Sequence, residues 1–196
     1  MKKLDDKLLN EALRLLAEFF ETQPHQHFVV CGGSSLLALN LVSRTTTRDV
    51  DVLARVEGDH LITAKPLPEW IFEAIRKVGR DLDLMENWFN TGPSDDSFFR
   101  FGLPEGIEDR LTPMDYGNKL RISYISRYDQ IHLKLYAAAD SGQGRHYKDL
   151  QDLKPTAEEL LAAARWTRNQ DPSEGFLFLL GEVFKAMGHE QLIDQL

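Results

Sequence analysis

Residues 28–54 constrain the fold more than any other stretch of the chain. A short apolar run, Phe28–Cys31, leads into the Gly-Gly-Ser sequence of Gly32–Ser34. A bounded apolar run of this length is typical of a buried strand, and glycine turns the backbone sharply because it adopts positive φ at little cost. Ser34 is a good N-cap residue, so a helix is expected over Leu36–Val42. The segment therefore predicts a strand, a glycine turn and a helix in succession.

The chemistry predicted for this segment combines a phosphate with a metal ion. A glycine turn that feeds a helix N-terminus suits a phosphate, because free backbone N–H groups and a partial positive charge face it. The next strand carries Asp49 and Asp51, and strand alternation places both carboxylates on one face. Two adjacent carboxylates repel each other unless a cation joins them, and oxygen ligands with room for substrate phosphates suit Mg²⁺. We expect Mg²⁺ here, with Mn²⁺ as a substitute.

Composition excludes several classes of protein. The chain has 196 residues, of which 42% are hydrophobic and 28% are charged, enough to bury a core. No apolar run reaches about 18 residues, so no membrane span is expected. The net charge of −8 argues against broad binding along DNA, although the segment 121–154 is locally basic. Cys31 is the single cysteine, which fits a reducing, cytoplasmic setting.

Hydrophobic periodicity and capping signals predict an α/β (α+β) fold. It would have a small mixed sheet flanked by helices, with a core domain over 1–125 and a helical part over 126–196 packed on that core. Loops are expected over 91–96 and 141–144, where turn residues cluster. The expected strands lie at 28–31, 49–53, 98–101, 107–112 and 120–125. The expected helices lie at 4–21, 36–42, 69–78, 128–139, 146–153, 157–168 and 171–184.

The order strand, Gly-Ser, helix and Asp-x-Asp strand resembles the signature of the DNA polymerase β-like nucleotidyltransferase superfamily. More narrowly, the chain is similar to minimal bacterial nucleotidyltransferases that include the AbiEii-type toxins of type IV toxin–antitoxin systems. Their later lysine-bearing helix and Arg/Lys-Asp-x-x-Asp-Leu segment correspond to Leu133–Leu135 and Lys148–Leu153. The turn Leu103–Arg110 resembles that of an uncharacterised branch with the pattern Leu-Pro-x-Gly-x-x-x-Arg.

The resemblance implies roles for the first motif. The turn of Gly32, Gly33 and Ser34 would hold the triphosphate of an NTP, and Asp49 and Asp51 would bind Mg²⁺. The reaction implied is transfer of a nucleotidyl group to a hydroxyl acceptor on RNA such as a tRNA end, on a protein or on a small molecule. A toxin role would add a cognate antitoxin as a partner.

Further candidates lie outside that motif. Arg48 would contact phosphate or the acceptor, or would lie solvated at the surface, and Lys148 would bind nucleotide. Lys134 lies mid-helix among apolar residues, where it either extends its amine past the core or contacts phosphate, with Asp149 orienting it or activating the acceptor. Such enzymes commonly use a third carboxylate; the strand 120–125 contains no acid, and the candidates are Glu108, Asp109 and Asp149.

Two other classes of function remain open from the residues alone. The first is a catalytically silent nucleotide-binding or protein-interaction module of the same fold, which the uncertain identity of the third carboxylate and the acidic charge favour. The second, weaker one is a zinc hydrolase built on His25, His27, His132 and His146, for which no HExxH spacing is present.

Overall fold

The computed structural model describes residues 1–94, 96–142 and 144–196. Asp95 and Gln143, which belong to the two loops predicted over 91–96 and 141–144, lie outside the described residues. The chain divides into two compact units. The first comprises Met1–Phe99 and Gly106–Ile125, and the second comprises Arg100–Glu105 and Ser126–Leu196.

The first unit is built on one mixed sheet, which has six strands within the described residues. The spatial order is β3-β2-β1-β6-β5, and β4 pairs with β2 beside β3. The pairs β1–β2, β2–β3 and β5–β6 are antiparallel, whereas β1–β6 and β2–β4 are parallel. The predicted small mixed sheet flanked by helices is confirmed. The strands are β1 (Gln26–Cys31), β2 (Val50–Glu57), β3 (His60–Ile62), β4 (Phe89–Asn90), β5 (Thr112–Asp115) and β6 (Leu120–Tyr124).

One face of this sheet carries the apolar core of the first unit. Alternation along the central strands places Phe28, Val30, Val52 and Ile122 on that face, and all four are fully buried. They form one cluster with side chains from helices α1 (Asp6–Glu18) and α3 (Glu69–Asp81). Burying an aliphatic or aromatic side chain contributes about 1.5–3 kcal/mol, so the core fixes which residues of each strand face the opposite side. The buried helical residues include Leu9, Leu13, Leu16, Ile71, Ile75 and Val78.

Helix α2 begins and ends earlier than its sequence predicts. It spans Gly32–Ala38, with Cys31 at the N-cap and Ser34 inside the first turn, so the prediction of Ser34 as N-cap is wrong. The helix starts as soon as the glycines turn the chain. Asn40, which follows the C-cap residue Leu39, adopts a left-handed φ of 51° and stops the helix. The bonds from Asn40 N–H to Leu37 O and from Leu41 N–H to Leu36 O close a Schellman motif.

The segment 98–115 differs from the predicted strands. Residues 98–101 belong to helix α4 (Asp96–Phe101), and Ile107–Arg110 form a 3₁₀ turn before β5. A short apolar run does not distinguish strand from helix, and Gly102, with a φ of +94°, suits the left-handed residue that ends a helix. The short strands β3 and β4 were not predicted, because neither is long enough to show alternation.

The second unit is helical within its described residues. It contains α5 (Arg127–Ser141), α6 (Arg145–Asp152), α7 (Ala157–Gln170) and α8 (Glu174–Ala186), and α5 packs against the other three. Side chains cap the N-termini of α5 and α7: the Ser126 side chain accepts from Asp129 N, and Thr156 forms a complete capping box with Glu159. Among the described residues of both units, no helix combines the length and apolar character needed to cross a membrane.

His27 gives the first unit a pH-dependent contribution to stability. Its Nε2 lies 2.7 Å from Ser123 Oγ. Partial burial, followed by the positive charges of Arg121 and His25, lowers the pKa of His27 below its ordinary value of 6.5, and Asp115 opposes this shift. A base whose pKa is lower in the folded than in the unfolded chain destabilises the fold when it is protonated. We therefore expect this contribution to be complete above pH 6.5 and to be lost as the pH falls below that value.

The measurement is urea unfolding of wild type and His27→Gln at about pH 7.5 and about pH 5.5. The wild type should lose more free energy of unfolding between the two conditions than the variant, because only the wild type must protonate His27. The exposed His60 gives the control, and His60→Gln should retain the wild-type pH dependence. Equal pH dependence in wild type and His27→Gln would contradict this account.

Candidate functional site

The pairing of β1 with β2 joins the two halves of the predicted motif. Cys31, the last residue of β1, is the register partner of Asp51 near the start of β2. Because the strands are antiparallel, the glycine turn after β1 and the acidic start of β2 lie at the same end of the sheet. Asp51 also lies on the face opposite the core, since Val50 and Val52 face the core. The structure therefore brings the Gly-Gly-Ser turn and Asp51 together.

Gly32 lies so close to the Asp51 carboxylate that a side chain at position 32 would force this carboxylate to move. A Cβ added to Gly32 would be 3.2 Å from Asp51 Cγ and closer still to Asp51 Oδ2. Gly32 also has a φ of +67°, which is strained for residues with a side chain. The sequence analysis explained the glycines by the sharp turn that they allow. The structure adds that a side chain here would fill the space beside a carboxylate oxygen.

Asn90 is a site residue that the sequence analysis missed. It is the register partner of Asp51 in the parallel β2–β4 pair, and its Nδ2 donates to Asp51 Oδ1 at 3.1 Å. Its own Oδ1 accepts a hydrogen bond from Gly92 N at 2.8 Å. No spacing rule points to Asn90, because 39 residues separate it from Asp51. The available signal was Asn-x-Gly following two aromatic residues, which is typical of a side chain that bonds its own turn.

Asp49 immediately precedes β2 in a segment tied to the N-terminus. Leu4 and Thr47 form an isolated antiparallel bridge, with both backbone bonds at 2.8 Å. Thr47 Oγ1 also donates to the backbone carbonyl of Asp49 at 3.4 Å. The Asp49 side chain is half-buried and its Oδ1 is fully buried, whereas the side chain of Arg48 is exposed.

The serines after the glycine pair are fully buried. Ser34 Oγ donates to the carbonyl of Cys31 at 3.4 Å, and Ser35 Oγ donates to the carbonyl of Ile125 at 3.2 Å. Gly33 is buried in the same turn. The Ser35 bond, also missed from the sequence, ties the first turn of α2 to the chain that leaves β6. A phosphate role for Ser34 stays a prediction.

The residues at this end of the sheet fit a hard divalent cation. Asp51 Oδ1 accepts a hydrogen bond from Asn90. Asp51 Oδ2 lies against Gly32, at the place that a Cβ on Gly32 would enter. Mg²⁺ is usually held by one or two carboxylates together with substrate phosphates and water, and Asp49 and Asp51 are the two carboxylates that would hold it here. Within residues 1–94, 96–142 and 144–196, no group of three or more His, Cys, Asp or Glu side chains is placed to hold a metal ion.

In the second unit, Lys134 and Asp149 form a buried ion pair. Lys134 Nζ lies 2.8 Å from Asp149 Oδ2, and the two side chains are 5% and 3% exposed. Lys134 comes from α5 and Asp149 from α6, two helices that pack together. Of the two interpretations left open for Lys134, an amine extended past the core into solvent is wrong. The structure shows the predicted contact with Asp149, while a catalytic role for either residue stays a prediction.

Three of the remaining sequence candidates are solvent-facing, and one is buried. Lys148 is exposed on α6, next to Asp149. Glu108 and Asp109, two candidates for a third carboxylate, are exposed in the 3₁₀ turn Ile107–Arg110. His132, considered as a zinc ligand, is buried and packs between the rings of Tyr128 and Trp166.

Comparison with known proteins identifies the family. Residues 7–162 match the family described as nucleotidyltransferases of unknown function (DUF6036). Because the match spans most of the chain, the chain belongs to this family, and its mixed six-stranded sheet flanked by helices is compatible with a nucleotidyltransferase fold. The matched range includes Asp51, Asn90 and the Lys134–Asp149 pair. Comparison with curated proteins gave no match, and comparison with solved structures gave none.

The Lys134–Asp149 pair predicts a stability test. Breaking a buried ion pair leaves one charge without its partner and typically costs about 3–5 kcal/mol. We expect Lys134→Met and Asp149→Leu each to lower the free energy of unfolding by that amount in urea titrations. The double variant should lose less than the sum of the two, because neither charge remains.

The exposed pair Arg121–Asp115, at 2.7 Å, supplies the matched control. Asp115→Leu should change the free energy of unfolding far less than Asp149→Leu does, because water screens the charge that is left behind. Additive single-variant losses at Lys134 and Asp149 would show that the two side chains do not depend on each other.

Proposed function

We propose that this chain is a Mg²⁺-dependent nucleotidyltransferase that uses an NTP as donor and a hydroxyl group as acceptor. The single observation that carries the proposal is the packing of Gly32 against the Asp51 carboxylate at one end of the sheet. A glycine turn beside a carboxylate oxygen, in a chain that belongs to a nucleotidyltransferase family, supports a site for a nucleotide and its metal ion.

The first unit supplies the nucleotide and metal residues of this proposal. Asp49 and Asp51 hold Mg²⁺, which supplies charge that offsets the phosphate oxygens. The backbone of Gly32 and Gly33 receives the triphosphate, with the buried Ser34 keeping the first turn of α2 in place through its bond to Cys31 O. Arg48, exposed next to Asp49, contributes positive charge to the polyphosphate.

In the proposed reaction one bond forms and one bond breaks at the α-phosphorus. The acceptor hydroxyl oxygen forms a bond to the α-phosphorus of the NTP, and the bond between the α-phosphorus and the bridging oxygen breaks. Pyrophosphate leaves with that oxygen, and the hydroxyl proton passes to a base or to water. Positioning and charge stabilisation contribute most of the catalysis in such a transfer.

The finer assignments rest on the resemblance to AbiEii-type proteins. They are an acceptor on tRNA or on a protein, a cognate antitoxin, a bacterial source and a cytoplasmic location. Lys134, Lys148 and Asp149 belong to the same set: Lys134 would contact phosphate, with its amine oriented by Asp149, and Lys148 would bind nucleotide. The observation that supports the orienting role of Asp149 is its contact with Lys134 Nζ at 2.8 Å.

The test is transfer of α-labelled nucleotide to acceptor. Purified protein is incubated with each NTP, Mg²⁺ and either total RNA, a protein extract or the protein alone, and the labelled product and released pyrophosphate are both measured. Asp49→Asn with Asp51→Asn should lower the rate at least about 100-fold, because the metal contributes several kcal/mol of charge stabilisation. The matched control is Asp59→Asn, since Asp59 is an exposed residue in the β2–β3 turn.

Two outcomes would contradict the proposal in different ways. Labelling by the double variant at the wild-type rate would remove Asp49 and Asp51 from the mechanism. Metal-dependent NTP binding by the wild type, without pyrophosphate release on any acceptor tested, would instead identify the silent nucleotide-binding module.

A further inference from the structure

The strand that carries Asn90 is held in place by two buried aromatic residues. Trp88 is fully buried, its Nε1 donates to Ile75 O at 2.9 Å, and its carbonyl accepts from Val50 N at 2.6 Å. Phe89 is 3% exposed and meets Phe28 edge to face, with ring centroids 5.4 Å apart. These contacts join β4 to the core and to β2, so the position of the next residue along the chain is fixed from the inside.

The side-chain amide of Asn90 has one orientation that satisfies both its contacts. Gly92 N is a donor, so the Asn90 atom that it meets at 2.8 Å must be the carbonyl oxygen Oδ1. The amide nitrogen Nδ2 then points at Asp51 Oδ1, 3.1 Å away. The backbone of the turn thus determines that a hydrogen-bond donor, and not an acceptor, faces the carboxylate.

We propose that Asn90 is the positioning residue of the Asp51 carboxylate. This inference rests on the proposed function, in which Asp51 holds Mg²⁺. By donating a hydrogen bond to Oδ1, Asn90 fixes the rotation of the Asp51 carboxylate and keeps Oδ2 beside Gly32, at the glycine turn. A ligand whose outer partner fixes its orientation binds metal more tightly, and loss of such a partner typically costs a factor of about 10–100 in affinity.

The position of Asn90 is also relevant to the third carboxylate that such enzymes commonly use and that strand 120–125 lacks. The strand neighbour of Asp51 on β4 is a neutral amide that donates a hydrogen bond. A carboxylate at that position would face Asp51 with a second negative charge and no proton to share. At this position Asp51 is therefore supported by a hydrogen bond from a neutral amide and not by a third carboxylate.

The test is calorimetric binding of Mn²⁺ to the full chain without nucleotide. Asn90→Leu removes the donor while nearly conserving volume, and its dissociation constant for Mn²⁺ should rise about 10- to 100-fold. Its unfolding midpoint in EDTA should stay within about 4 °C of wild type. The control is Asn118→Leu at an exposed turn residue, which should leave both quantities unchanged.

Gly92→Ala provides a second variant that alters neither Asn90 nor Asp51 chemically. A Cβ on Gly92 would lie 2.9 Å from Asn90 Oδ1, so the amide must shift while the backbone keeps its course. The affinity of Gly92→Ala for Mn²⁺ should fall, as it does in Asn90→Leu, but by a smaller factor. Gly175→Ala, where a Cβ meets nothing within 4 Å, is the matched control.

The outcomes separate this inference from the proposed function. If wild type binds Mn²⁺, Asp51→Asn loses that binding, and both Asn90→Leu and Gly92→Ala bind as wild type does, then Asn90 is not a positioning residue and the proposed function stands. If Asp51→Asn binds Mn²⁺ as tightly as wild type, or wild type binds none, the metal assignment falls and this inference falls with it.

Discussion

The antiparallel pairing of β1 with β2 determines where Asp51 lies relative to the glycine turn. Its register places Cys31 opposite Asp51, with a bulge between the pairs Val29–Ala54 and Val30–Val52. A slip by one residue would turn Asp51 into the apolar core and Val52 toward the glycine turn. Burying an unpaired carboxylate costs far more than one apolar side chain contributes. The hydrophobic core therefore fixes the position of the acidic site.

The same principle, apolar packing that positions a polar contact, recurs in both units. In the first unit, Trp88 and Phe89 are buried so that Asn90 meets Asp51. In the second unit, the packing of α5 against α6 brings Lys134 to Asp149 and excludes water from both charges. Removing water strengthens each contact, and it also raises the cost of losing either partner. These are the places where single substitutions should have the largest effects.

Much of the fold could be predicted from local signals, and the misses have physical causes. The caps at Ser126 and Thr156 and the strict alternation of 120–125 involve neighbouring residues, so the sequence displays them directly. Helix α4 was predicted as a strand because a short run of aromatic residues suits both. Strand β4 and the Asn90 contact depend on a partner 39 residues away, which no periodicity reports. The sequence predicted that the glycine turn and the Asp-x-Asp strand lie close together. The short distance between Gly32 and the Asp51 carboxylate could be seen only in the structure.

The most direct measurement of the central claim is a crystal structure with Mn²⁺ and an NTP analogue that resists cleavage between the α- and β-phosphates, recorded at the manganese absorption edge. The account predicts an anomalous peak in contact with the carboxylates of Asp49 and Asp51 and a triphosphate on the turn of Gly32–Ser34. Manganese and triphosphate bound elsewhere on the chain, with Asp49 and Asp51 contacting neither, would contradict it.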